Sequence, residues 1–293
     1  MLWIILAAAT APLTVARNSL QRMLAGDGGP WGATLVRFLF GLPFSLAMFA
    51  LFAALTPGAA PHFSARFILA VSLGAASQVA ATAALLVAMR RSGFAVATVM
   101  QQGSIPFSAI FGWLILGDRL HPAAWAGVLL TTAGLAVLSW PRRDQVAGAG
   151  LGVALGLASG ALFAVGLNAY RQAGLAFEPH HPLYSAMASV CVAQALQTTA
   201  MVAALTLLRP ATLRAVARSW RSSLGAGFFG AAASACIFAA LALAPAGPVR
   251  AIGVLEAPVA AAVGRRLFRE RLTARQIAGG VLTAAGVVLT VLG

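Results

Sequence analysis

The sequence predicts an all-α integral membrane protein of ten transmembrane helices, arranged as two inverted five-helix repeats. Three observations lead to this prediction: an apolar composition, a regular series of apolar segments of membrane-spanning length, and a match of the chain to itself at an offset of 152 residues. A water-soluble fold explains none of the three.

The composition excludes a water-soluble domain. Hydrophobic residues fill 60% of the 293 positions and charged residues only 9%, whereas soluble domains carry about 25% charged residues. All 20 basic residues are arginine, and against 6 acidic residues they give a formal net charge of +14. Because these arginines lie mostly in short gaps between apolar segments, they indicate membrane topology and argue against a nucleic-acid partner.

Apolar segments of about 20 residues, enough to cross a bilayer, follow one another along the chain. The ten predicted spans are 2–24, 31–55, 64–89, 94–116, 121–140, 148–172, 182–208, 222–244, 246–266 and 273–292. Glycine, proline or charged residues fill the predicted breaks, chiefly at 26–30, 56–58, 90–93, 117–119 and 141–144. No gap is long enough for an additional domain.

The two halves of the chain match without a gap. At the offset of 152, Pro106 falls on Pro258, Asp118 on Glu270 and Gly134 on Gly286. The predicted repeats are 1–144 and 145–293. Because five helices is an odd number, the second repeat enters the membrane from the opposite side, which makes the repeats inverted, as in many transporters that bind their substrates near the midplane.

Each repeat ends in a recurring pattern: an apolar helix with an internal proline, an acidic residue followed by Arg-Leu, and a helix with glycines seven and fourteen residues on. Together with Arg37-Phe38 in the second span, this pattern resembles the drug/metabolite transporter superfamily, in particular its ten-helix EamA type, and is similar to YddG-type amino-acid exporters. The resemblance implies secondary transport of small metabolites, with the third, fourth, eighth and ninth spans lining a central cavity.

Glu256 is the acidic residue predicted to lie deepest in the membrane. It is about ten residues into the ninth span, where an ionised carboxylate costs about 2.5–3.5 kcal/mol on insertion scales. We interpret it as a proton carrier or a counter-charge for a substrate amine. The alternatives are a structural pair with Arg37 or Arg17, and a protonated residue without a function in transport.

Polar residues in the predicted cavity helices are candidates for substrate binding: Gln78, Thr82, Gln101, Gln102, Ser104 and Glu256. Asn168, in the sixth span, is a further candidate from the second repeat. Pro106 and Pro258 are predicted to interrupt their helices, which leaves backbone carbonyls available near the middle of the membrane. For each amide, hydrogen bonding between helices is the alternative to binding substrate. For Arg37, extension of the side chain toward the interface is the alternative to binding a carboxylate.

The arginines are distributed unequally between alternate connections. One group holds Arg66, Arg119, Arg171 and Arg250, and the other holds fourteen arginines. By the positive-inside rule this bias places both termini outside the cell, whereas members of the EamA type are usually described with both termini inside. The predicted location is the inner cell membrane, as a multi-pass protein.

The predicted function is secondary transport of a small polar metabolite such as an amino acid, in the export direction, with protons as the candidate coupling ion. A lipid or lipid-linked carrier is the alternative cargo, and a membrane scaffold without transport is the alternative of another class. No enzyme, cofactor or metal site is predicted, because the four histidines lie in or beside connections without a carboxylate at the ligand spacing of the known motifs. The internal duplication makes a monomer sufficient, with a small-molecule substrate and the bilayer as partners.

Overall fold

The computed structural model describes residues 1–139, 150–255 and 274–292, and its regular structure is helical throughout these ranges. The α-helices are α1 (Leu2–Leu39), α2 (Leu42–Leu55), α3 (Ala65–Gln101), α4 (Ser104–Phe111), α5 (Pro122–Ser139), α6 (Gly150–Phe177), α7 (Pro182–Leu208), α8 (Pro210–Arg218), α9 (Trp220–Leu243), α10 (Ala246–Gly253) and α11 (Ala274–Leu292). A π-helical turn, Gly112–Leu116, continues α4.

Five described helical segments are long and apolar enough to cross a membrane: Trp31–Leu55, Ala65–Ser92, Gly150–Phe177, Pro182–Leu208 and Trp220–Leu243. They confirm the second, third, sixth, seventh and eighth predicted spans. Shorter apolar helices, Ser104–Leu116, Pro122–Val137 and Ile277–Leu292, lie within the fourth, fifth and tenth predicted spans. A total of ten spans stays a prediction, since only Ala246–Gly253 of the ninth span is described as helix.

Two glycines with positive φ lie at predicted breaks. Gly29, at φ 61° and ψ −172°, interrupts α1. Gly117, at φ 70°, ends the π-helical turn immediately before Asp118. Glycine occupies these conformations at no steric cost, whereas a Cβ would be strained. The breaks predicted at 26–30 and 117–119 are therefore confirmed. The break predicted at 56–58 is also confirmed, because α2 ends at Leu55.

The break predicted at 90–93 is wrong. α3 continues through Arg90 and Arg91 to Gln101, and the interruption follows at Gln102 and Gly103. Pro106 provides the physical reason, because a proline ring clashes with the carbonyl four residues earlier, here that of Gln102. The structure also adds α8, a short helix with Pro210 in its first turn, which the sequence analysis missed.

The described chain forms two compact units. Unit one comprises 1–75 and 170–243, and unit two comprises 76–169 and 244–293. Each unit therefore combines segments from both predicted repeats. The predicted repeat boundary at residue 144 lies outside the described residues, so the division into 1–144 and 145–293 stays a prediction.

Unit one has its own apolar core between α1, α7, α8 and α9. Leu35, Phe38 and Leu205 are buried there together. Gly227 of α9 lies directly against the backbone of Phe40, so close that a Cβ on Gly227 would overlap it. Small residues permit this approach, as is typical of helices that pack in lipid.

In unit two, α5 and α11 pack along their length. Gly134 of α5 faces the backbone of Thr283, and Gly286 of α11 faces the backbone of Thr131. A Cβ on either glycine would lie closer than 3.0 Å to the facing backbone. The two helices can therefore reach this separation only because both positions are glycine.

Three glycines of α6, four residues apart, place that helix against the end of α3 and the start of α4. Gly152 lies against Ser92, Gly156 against Met100, and Gly160 against the carbonyl of Gln101 and the amide of Ser104. Residues four apart share one helix face. This contact holds the interruption between α3 and α4 in place.

Candidate functional site

The helix interruption between α3 and α4 is the starting point of the candidate site. Gly103 donates its N–H to the carbonyl of Met100 at 3.1 Å, and Ile105 donates to Gln102 at 3.1 Å. Both are bonds to the third preceding residue, tighter than those of an α-helix. Gln102 and Ser104 are thus placed at a bend within a long apolar segment, as the sequence predicted.

Arg250 of α10 reaches this interruption. Its Nε donates a hydrogen bond to Ser104 Oγ at 3.1 Å, and its Nη2 donates to Gln102 Oε1 at 3.4 Å. The Ser104 side chain is fully buried. Hydrogen bonds that involve a charged group contribute about 1.5–3 kcal/mol each. The Gln102 and Ser104 side chains therefore hold a guanidinium group at the bend.

Asn168 of α6 extends the polar cluster along α4. Its Nδ2 donates to the carbonyl of Ser108 at 3.1 Å and to that of Ala164 at 3.0 Å. Ser108 in turn donates to the carbonyl of Ser104 at 2.6 Å. The Asn168 side chain is 3% exposed, and its Oδ1 accepts no hydrogen bond from the described residues. A buried acceptor without a partner costs about 1–3 kcal/mol.

The oxygen of Asn168 faces Gly112 at the start of the π-helical turn. A Cβ on Gly112 would lie 3.0 Å from Asn168 Oδ1 and 3.1 Å from Asp118 Oδ2. Asp118 comes back toward α4 because Gly117 reverses the chain and the Asp118 N–H bonds to the carbonyl of Gly112 at 3.1 Å. Two acceptor oxygens therefore converge on the same face of one glycine.

The remaining predicted site residues have simpler surroundings. Thr82 donates to the carbonyl of Gln78 at 2.9 Å, which confirms that the two share a helix face but satisfies the hydroxyl within its own helix. Gln101 is half-buried beside Gly160. Glu256 and Pro258 lie outside the described residues. A role of these residues in binding substrate stays a prediction.

The sequence analysis placed Arg250 in a connection between spans, and this assignment is wrong. Arg250 is half-buried in α10 and hydrogen-bonded to side chains 146 and 148 residues earlier in the chain. Its position four residues after the start of the ninth predicted span was the available signal. The sequence analysis did not single out Asp118 as a site residue, because the return of its side chain to Gly112 depends on the turn at Gly117.

Unit one contains a second group of polar residues in apolar helices. The stems of Arg37 and Arg17 both pass over Gly230, where a Cβ would lie 3.2 Å from Arg37 Cγ and 3.4 Å from Arg17 Cδ. The Arg37 guanidinium also lies 5.1 Å from the centre of the Phe38 ring. These contacts show how long arginine side chains cover a helix surface within the apolar unit.

The sequence pattern that includes Arg37-Phe38, Pro106 and Asp118 falls within the first 140 residues. Residues 1–140 match the EamA-like transporter family. This EamA-like segment makes up a little less than half of the chain. It contains the helix interruption with Gln102 and Ser104, whereas Asn168 and Arg250 lie beyond it.

Comparison with solved structures supports the fold over the whole length of the chain, including the part that follows the EamA-like segment. A structure described as "Crystal structure of protein" covers 99% of this chain and 98% of its own, with a TM-score of 0.72 and 17% identity. At that identity the likeness concerns the fold alone. No curated protein matches the chain.

Proposed function

We propose that this protein is a secondary transporter that exports small polar metabolites such as amino acids by alternating access through a central cavity. The observation that carries the proposal is the guanidinium of Arg250, which Ser104 and Gln102 hold at the interruption between α3 and α4. A charged group in an apolar segment is costly and is typically functional. The planar guanidinium fork also fits a carboxylate, the group that all amino acids share.

The contacts between α5 and α11 support the proposed inverted repeat. Gly134 faces Thr283, and Gly286 faces Thr131. At the offset of 152, Gly134 corresponds to Gly286 and Thr131 corresponds to Thr283. The two contacts are therefore equivalent under the sequence repeat. Alternating access in inverted-repeat transporters uses such pseudo-symmetry, because the two halves exchange conformations.

Proton coupling is part of the proposal, with Glu256 as the candidate carrier. The support comes from sequence: an acid deep in the ninth predicted span and two residues before Pro258. Such an acid is expensive to keep ionised in lipid and can take up a proton.

We propose the inner cell membrane as the location, with both termini outside. Moving Arg250 from a connection into α10 leaves Arg66, Arg119 and Arg171 in the smaller arginine group. Arg90 and Arg91 likewise lie within α3, so the larger group falls from fourteen arginines to twelve and the imbalance between alternate connections persists. The positive-inside rule still places the arginine-rich connections in the cytoplasm.

The test is uptake of labelled amino acids into proteoliposomes that contain the full chain, with and without an imposed pH gradient. We expect uptake of at least one amino acid, faster with the gradient, and loss of the gradient effect in Glu256→Gln. Glu178→Gln, a change to an acid in a connection of unit one, is the matched control. Translocation of labelled lipid without movement of any amino acid overturns the cargo, and movement of neither favours a scaffold.

A further inference from the structure

We propose that the short helix α8 and the helix ends on either side of it form a surface that binds the anionic headgroups of phospholipids in the surrounding bilayer. The proposal concerns a lipid partner and does not depend on which molecule the protein transports. It rests on contacts within unit one alone. The four arginines of this surface, the α8 arginine surface, are Arg209, Arg214, Arg218 and Arg221.

The first argument is that one face of α8 is fixed to the protein. The Cγ2 atoms of Thr212 and Val216 lie 3.2 Å and 3.3 Å from the position of a Cβ on Gly32 of α1. Val216 is 2% exposed in the apolar core of unit one, and Leu213 packs against that core. α8 therefore has a defined orientation on unit one, with Thr212 and Val216 toward α1.

The second argument is that the opposite face of α8 is basic. Arg214 and Arg218 are four residues apart and therefore share one face. At 3.6 residues per turn, this face lies across the helix from Thr212 and Val216, and both arginines are exposed. Like charges four residues apart on a helix repel each other. An anion that binds both guanidinium groups relieves this repulsion.

The third argument is that the chain changes from apolar to cationic on both sides of α8. Arg209 directly follows α7, whose last residues, Leu207 and Leu208, are 82% and 78% exposed. Arg221 follows Trp220, the first residue of α9, and its guanidinium lies 5.2 Å from the centre of the Trp220 ring. Tryptophan is enriched where a membrane helix meets the interface. These two changes place α8 at the level of the lipid headgroups.

The partner follows from the chemistry of that level. A guanidinium group binds phosphate oxygens with two parallel hydrogen bonds, and phosphate is the group that phospholipid headgroups present there. The sequence has no acidic residue between Glu178 and Glu256, so α7, α8 and α9 contribute no counter-charge of their own. Clusters of about four or more basic residues directly beside a spanning helix are typical of sites for anionic lipid.

The exposed leucines favour a lipid over a soluble phosphate compound. Leu207 and Leu208 lie beside Arg209 and offer an apolar surface to an acyl chain. A soluble anion would contact the arginines and leave this apolar surface unused. A phospholipid satisfies both parts of the surface with one molecule.

The binding test is thermal unfolding of the full chain in detergent micelles with a rising fraction of phosphatidylglycerol, compared with phosphatidylcholine of the same acyl chains. A ligand that binds only the folded protein raises its Tm as its concentration rises. We expect a saturable rise with phosphatidylglycerol and little change with phosphatidylcholine. Equal effects of the two lipids overturn the proposal. An equal rise with inorganic phosphate at the same total charge assigns a soluble anion and overturns it as well.

A double variant connects the effect to α8. Arg214→Gln combined with Arg218→Gln should move the midpoint of the phosphatidylglycerol titration at least tenfold upward, because each arginine near an anionic surface contributes about fivefold to binding. Arg90→Gln combined with Arg91→Gln is the matched control, since these arginines are adjacent and exposed on α3 of unit two. The control should keep a midpoint close to the native one. Equal shifts in both double variants would mean that net charge alone attracts the lipid, which overturns the proposal.

Two further measurements separate lipid binding from folding. Arg214→Lys combined with Arg218→Lys keeps both charges and should keep most of the response, and loss of the response there would contradict an electrostatic site. In phosphatidylcholine alone, each variant should have a Tm close to the native value, because the substituted side chains are exposed. If the glutamine double variant does not fold, Arg214→Gln alone is tested for labelled phosphatidylglycerol retained through gel filtration. Retention equal to that of the native chain overturns the proposal.

Discussion

Arg250 Nε donates a hydrogen bond to Ser104 Oγ at 3.1 Å, which joins α10 to the start of α4. Ser104 is fully buried at a helix interruption, and the guanidinium also reaches Gln102. This bond places a permanent positive charge where the sequence predicted only uncharged polar groups.

Arg250→Gln is expected to weaken binding of carboxylate-bearing substrates about ten- to a hundredfold, because a charge-assisted hydrogen bond contributes about 1.5–3 kcal/mol. The measurement is KM for a transported amino acid in proteoliposomes, compared with KM for its amide derivative, which lacks the carboxylate. The amide derivative should be affected little. Arg275→Gln is the control, since Arg275 is exposed and donates to the carbonyl of Val137. Equal effects on acid and amide would contradict the assignment.

Gly134→Ala and Gly286→Ala are each expected to destabilise the packing of α5 against α11. Alanine improves helix propensity by about 1 kcal/mol, but its Cβ would overlap the backbone of the facing helix, and overpacking typically costs about 1–3 kcal/mol. The steric term should win. Thermal unfolding of the purified variants measures the result.

Gly58→Ala is the control for these two substitutions. No atom lies within 4 Å of a Cβ built at Gly58. Its Tm should therefore remain close to the native value. If Gly134→Ala also leaves Tm unchanged, the close approach of α5 to Thr283 is wrong.

Glu178 is expected to stabilise unit one at neutral pH and not in acid. The N–H of His180 donates a hydrogen bond to the Glu178 carboxylate at 3.1 Å, and this bond lowers the Glu178 pKa. Burial acts in the opposite direction, whereas a second hydrogen bond, from the N–H of Ala60 at 3.3 Å, lowers the pKa further. The result is a Glu178 pKa below its ordinary value of 4.5. A lowered pKa contributes stability above the unfolded-state value that is lost as the pH falls through the folded-state value. The Tm of Glu178→Gln should be below that of the native chain at pH 7, and the difference should shrink below pH 4.5. A constant difference across that range would contradict the assignment.

Ser45→Ala is expected to cost about 0.6 kcal/mol and at most about 1.7 kcal/mol, the average and the maximum measured for hydrogen bonds between membrane helices. Ser45 Oγ donates to Gln194 Oε1 at 2.8 Å, and Gln194 is 2% exposed, with an Nε2 that has no partner among the described residues. Adding Gln194→Leu should recover much of the loss, because replacing both partners with apolar groups removes the unpaired atoms. Unfolding of the single and double variants measures the coupling, with Thr206→Val as an exposed control.

The sequence predicted those features that depend on local chemistry. Apolar length gave five spans that the structure confirms, and Gly29 and Gly117 marked turns because only glycine adopts their φ without strain. The break at 90–93 failed because two arginines resemble a connection, although a continuous helix can carry them at its surface. Pro106 was the better signal, since its steric effect acts four residues earlier along the helix.

What the sequence by itself determined is therefore a helical membrane protein, most of its helix boundaries, and a polar interruption at Gln102 and Ser104 in an otherwise apolar segment. Only the tertiary structure decided that Arg250 reaches that interruption and that the side chains of Asn168 and Asp118 both lie beside Gly112. The physical reason is distance along the chain: hydropathy and turn chemistry act over a few residues, whereas Arg250 lies 146 and 148 positions after its two partners and Asn168 lies 56 positions after Gly112. Helix packing, set by glycines such as Gly160, brings such residues together.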